Sequence, residues 1–146
     1  MALRVGARVL EMELFREQPR SYGCTQIKKT EDRHIEQRRL IALGGFAAEF
    51  LLYSTGRLVN EDGTSPTESE FIQYAYRNVA LDFVAFWGTD NPTCLNKSQK
   101  ELDFEFMNYA VGQAKHYMKA DAVERIADAL LATEKLTEAE VTAAAR

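Results

Sequence analysis

Apolar residues recur along most of this chain at three- and four-residue spacing, which predicts helices. The longest apolar run, residues 40–56, is apolar nearly all round, and as a helix it should be buried on most sides. Gly44, Gly45, Ala47 and Ala48 are small enough to let another backbone come close. A glycine inside a helix costs about 1 kcal/mol against alanine, so the pair implies a packing reason. Glu49 is the one charged residue in the run. Its carboxylate must be paired, hydrogen-bonded or turned to a polar edge.

The other elements follow from the same pattern and its punctuation. Leu3, Ala7, Leu10 and Leu14 share one face of an expected helix over residues 2–15, which Pro19 ends. Residues 21–27 are β-prone and read as a short strand or an extended loop. The central helix is expected from about Glu31 to Tyr53, and residues 60–64 are turn-rich. Ser65 as cap, Pro66 at the first helical position and Glu68 at the third open a helix that runs to about Trp87, with Gly88 as its stop. Ile72, Ala75, Val79, Phe83 and Phe86 form its apolar stripe. Ser98 and Glu101 make a second capping box, and the helix they open places Phe104, Met107, Val111, Ala114 and Met118 on one stripe. A break near residues 119–121 leads to an amphipathic helix carrying Val123, Ile126, Ala127, Leu130 and Leu131. Thr137 and Glu140 cap a short last helix with Val141. The expected fold class is all-α: one domain over residues 1–146, a bundle of five to six helices, with at most one short strand near 22–27.

Composition narrows the functional classes. The chain has 146 residues, 46% hydrophobic and 27% charged, enough for a real core. A formal net charge of −4 argues against a general nucleic-acid binder, whose footprint is a basic face. Its two cysteines, Cys24 and Cys94, form neither a metal pair nor a disulfide framework. No apolar run reaches the roughly 20 residues of a membrane span. Arg4, Arg8, Glu11 and Glu13 interrupt the apolar core that a signal peptide needs. The expectation is a cytoplasmic protein with no membrane and no nucleic-acid partner.

Few residues offer catalytic chemistry. Zinc hydrolysis needs about three protein ligands and an open position for water, commonly with His-Glu-x-x-His on a helix. The only histidines, His34 and His116, lie far apart, and neither sits in that motif. Glu31 and His34 have the spacing used in di-iron bundles, but Gln113 precedes His116 where a second pair would need Glu. No glycine-flanked nucleophile and no phosphate-cradling loop is present. Phe71, Tyr74, Tyr76, Phe83, Phe86 and Trp87 form an aromatic cluster, read as core or as the wall of a ligand pocket.

A resemblance adds a family. Leu43-Gly44-Gly45-Phe46-Ala47-Ala48-Glu49-Phe50-Leu51-Leu52, followed by Ser54-Thr55-Gly56, resembles the segment after the active-site helix in FtsH-type AAA zinc metalloproteases. Residues 80–88, ending Trp87-Gly88, look like that family's helix with the same ending. Residues 125–131, then Glu134, Leu136, Thr137, Glu140 and Val141, resemble its closing pattern, and the matches fall in the right order. The resemblance implies a zinc-peptidase frame in which the metal helix comes first, then a small β segment, then the Ala-Ala-Glu helix. Residues 2–10 look like later turns of the metal helix, without its ligands. The family's third, carboxylate ligand counts back to Ile72, and the nearest carboxylates are Glu70 and Glu68. Glu70, Glu68 and Glu49 are therefore the vestigial site-region candidates.

Two explanations compete within the family: a zinc peptidase whose ligands lie upstream, or a degenerate relative that keeps the fold and works by binding. In either case no catalytic residue, metal ligand or cofactor is assigned within these residues, and zinc would come only with an N-terminal extension. As given, the chain is expected to be inactive as a peptidase, because it lacks the ligands that would activate a water. The reading outside the family is a helical protein-interaction or oligomerisation module, with protein partners or a homo-oligomer and no enzymatic activity.

Overall fold

Gly6 adopts a left-handed conformation, φ 74°, and turns the chain out of a short 3-10 helix over Ala2–Val5. The computed structural model describes residues 1–17, 20–28, 34–60, 62–89 and 92–146. Strand β1, Val9–Glu17, follows, so the helix expected over residues 2–15 does not form. The reason is present in Leu10-Glu11-Met12-Glu13-Leu14, where apolar and charged residues alternate strictly with the period of a strand. Pro19, expected to end that helix, lies outside the described residues.

Strand β2, Arg20–Ile27, pairs antiparallel with β1 from Glu17↔Arg20 to Val9↔Ile27, which makes the expected short strand longer. A register shift between Val9 and Glu11 leaves Leu10 as an extra residue. Val9 is buried and Leu10 is 40% exposed on either side of that irregularity. Strand β3, Lys135–Thr137, pairs with the other edge of β1, Met12 opposite Leu136, giving the order β2-β1-β3. The fold is mainly helical but not all-α: seven α-helices and this three-stranded sheet are found among the described residues.

The central helical run is divided. Helix α1 spans Ile35–Ala42 and α2 spans Gly44–Ser54, with Leu43 between them. Gly44 and Gly45 thus open α2 rather than lying mid-helix. His34 caps α1, its Nδ1 accepting a long 3.4 Å hydrogen bond from the Glu36 backbone N–H. Glu31, where the helix was expected to begin, lies outside the described residues.

Helix α3, Glu68–Asn78, starts two residues later than Ser65 and Pro66 suggest. Thr67 and Glu70 form its capping box in place of Ser65 and Glu68, and Pro66 is buried just before it. Val79 separates α3 from α4, Ala80–Trp87, and Gly88 ends α4 in the left-handed region, φ 74°. Helix α5, Gln99–Tyr117, is capped by Ser98 and Glu101 as the pattern predicts. The break falls at Met118 and Lys119, and α6, Ala120–Thr133, follows. Thr137 and Glu140 cap α7, Glu138–Ala144.

Two apolar clusters hold these elements. The larger joins Ala42, Leu43 and Phe46 to Phe71, Ala75, Val79, Phe86, Phe106 and Ala110, drawing on α1 to α5. The smaller joins Val9, Leu136 and Val141, with Met12 from β1 and Ile126, Ala129 and Leu130 from α6 packed against them. The buried stripe of α5 is Leu102, Phe106, Ala110 and Ala114. It shares only Ala114 with the stripe expected from the sequence, and Phe104 is 63% exposed. No helix among the described residues is long and apolar enough to cross a membrane.

Candidate functional site

The first turn of α2 explains its glycines. A Cβ on Gly44 would lie 3.4 Å from the Met1 Cβ, and one on Gly45 would lie 3.3 Å from Asp82 Oδ2. Any larger residue at position 45 would press on that carboxyl, so the small side chains admit α4 at close range. Asp82 makes no hydrogen bond or ion pair among the described residues, and burial pushes its pKa up to about 6. Burial, and next the charge of Arg4, lowers the Met1 amine below its usual value. Ala47 is fully buried in the following turn. Glu49 is half-buried in α2 and has a partner, as a carboxylate in that run requires.

The three carboxylates singled out from the sequence have separate settings. Glu68 is exposed at the start of α3. Glu70 is committed to the cap: its Oε2 accepts from the Thr67 N–H and hydroxyl, both at 2.8 Å. Those bonds hold its pKa below the usual glutamate value. No group of three or more His, Cys, Asp or Glu residues is placed to hold a metal among the described residues. His34 Nδ1 is engaged with the Glu36 backbone, and the His116 ring packs edge-on against Tyr117 at 4.5 Å. With Glu70 committed to the cap and no three of these donors brought together, the described residues do not fit the zinc centre that the resemblance implies. Glu31, half of the di-iron spacing, lies outside the described residues.

A second locus was only half visible in the sequence. The expected aromatic cluster divides: Phe71 and Phe86 are core, Tyr74 is 56% exposed, and Trp87 turns to a groove. This cavity of about 600 Å³ lies between α1, α4 and α5, walled by Phe86, Trp87, Phe104 and Tyr109. Two cations rest on its rings. The Arg39 guanidinium carbon lies 5.3 Å from the Phe86 centroid, and Lys97 Nζ lies 5.7 Å from that of Trp87. The two rings meet edge to face at 4.9 Å. Arg39 Nε also donates to the Phe86 carbonyl at 3.3 Å, and Lys97 pairs with Glu105 at 2.6 Å. Tyr109 donates to Glu36 at 2.7 Å; burial first, and then that bond, pushes its pKa up to about 12. Trp87 Nε1 is buried with no hydrogen-bond partner among the described residues. Arg39, Lys97 and Phe104 could not be joined to the aromatic cluster by spacing, because α1, the turn before α5 and α5 itself deliver them.

Compared with protein-family models, with curated proteins and with solved structures, the chain finds no match in any of the three.

Proposed function

We propose that these 146 residues form a metal-free relative of the FtsH-type protease domain, one that keeps the frame and works by binding rather than hydrolysis. The observation that carries this reading is the β1–β2 hairpin ahead of the helix with Gly44-Gly45-Phe46-Ala47-Ala48-Glu49. A small β segment before that helix is the order the resemblance implies. The ending of α4 in Trp87-Gly88 also supports it. Hydrolysis is left out because the sequence has no His-Glu-x-x-His, and Glu70, the carboxylate nearest the third ligand position, serves as a helix cap. The test is to incubate the purified chain and zinc with an unfolded protein substrate. No cleavage that a chelator abolishes is expected; zinc-dependent cleavage stopped by chelator overturns the proposal.

A second reading, a helical interaction module outside the family, is favoured by α6. This helix is 14 residues long, no residue of it is fully buried, and Leu131 is 57% exposed. That reading expects concentration-dependent self-association in sedimentation, or a protein partner that covers Leu131. A monomer at every concentration whose α6 amides exchange unchanged in cell extract counts against it.

A further inference from the structure

The groove beside Trp87 combines two features that point to one kind of ligand. It has an apolar wall with an exposed ring, since Phe104 is 63% exposed and leaves a face uncovered. It has two cations whose carboxylate partners are replaceable. Glu36 beside Arg39 and Glu105 beside Lys97 have side chains 47% and 44% exposed, and pairs of that kind hold weakly. The volume of about 600 Å³ lies in the range of small-molecule sites.

We infer that this groove is a binding site for a small aromatic carboxylate, with its ring against Phe104 and Trp87 and its carboxylate between Lys97 and Arg39. A purely apolar ligand would leave the cations unused. A small inorganic anion would leave Phe104 and the ring faces uncovered. Joining both in one planar molecule satisfies each wall, and the carboxylate replaces Glu105 as the partner of Lys97. Nothing in this inference depends on the family reading, since none of these residues is a ligand candidate.

Trp87 is the sole tryptophan, so the indole fluorescence of the chain reports on this groove alone. The full chain is titrated with benzoate, and in parallel with acetate and benzyl alcohol. A saturable change with benzoate is expected, with the other two weaker by about tenfold or more, roughly one such step being lost with each missing wall. Phe104→Ser and Lys97→Gln are each expected to weaken benzoate by about tenfold with an unchanged unfolding temperature, because Phe104 is largely exposed and a surface pair such as that of Lys97 contributes little. An equal response to acetate, an equal response to benzyl alcohol, or no saturable change with benzoate overturns the inference. So does undiminished benzoate binding in both variants.

Discussion

Burial of the Asp82 carboxyl against Gly45 opposes its ionisation, because the charged form loses water and gains no partner among the described residues. Its pKa rises from an ordinary 3.8 to about 6. Between those values the folded chain binds more protons than the unfolded one, so stability falls as pH rises through the window and stays lower above it. Asp82→Asn keeps the shape and removes the charge. The variant is expected to be more stable than the parent by about 1–2 kcal/mol well above pH 6, a figure discounted for the carboxyl's partial contact with solvent. Below pH 3.8 the two should unfold alike. Urea unfolding across that range measures the gap. A constant difference at all pH values would show that packing, not charge, separates them.

At the scale of the element, α5 shows how far a periodic pattern can rotate. Leu102 and Phe104 differ by about 200° around a helix, so they cannot both face one core. The sequence offers either stripe, since Phe104, Met107 and Val111 recur at helical spacing as Leu102, Phe106 and Ala110 do. Packing decides: Leu102 is 0% exposed, and Phe106 lies edge-on to Phe86 and Phe46. Leu102→Ala is therefore expected to cost about 2–5 kcal/mol. Phe104→Ser should stay within about 0.5 kcal/mol, as exposed substitutions do. Denaturant midpoints compare the two directly; the reverse order would mean that the opposite face of α5 is buried. The legible elements were those specified locally. The Ser98–Glu101 and Thr137–Glu140 boxes and the Gly88 stop need only a few neighbouring residues, and all three form. Thr67–Glu70 displaced Ser65–Glu68 because both pairs have capping spacing and only one can begin the helix. β3 was missed because its three residues carry no period of their own, and its partner lies near the other end of the chain. The candidate site suffered likewise. Counting back from Trp87 led to carboxylates that turn out to serve a cap or a helix surface, while the groove is assembled from distant segments.

The molecule as a whole is closed by its two ends meeting. β3 completes the sheet along β1, Leu14 N–H donates to the Glu134 carbonyl at 2.7 Å, and α7 brings Val141 to Val9. Ion pairs follow the same seam: Arg8 with Glu138 at 2.6 Å, Arg16 with Glu134 at 2.8 Å, and Lys135 with Glu11 at 3.1 Å. These pairs lie at the surface, and such pairs contribute little singly. The apolar seam is different in kind, since Leu136, Val141 and Val9 are 2%, 2% and 3% exposed. Burial therefore sets the strength of closure. Leu136→Ala is expected to cost about 2–5 kcal/mol, whereas Arg8→Gln should leave the unfolding midpoint unmoved. Removing residues 134–146 should do more than either. It bares the second edge of β1 together with Val9 and Met12, and an unpaired apolar edge invites association with other chains. The shortened chain should lose its sharp thermal transition and elute as aggregates in size exclusion. If it instead stays monomeric with an unchanged transition, the sheet does not depend on β3, and the larger cluster around Phe106 alone holds the fold.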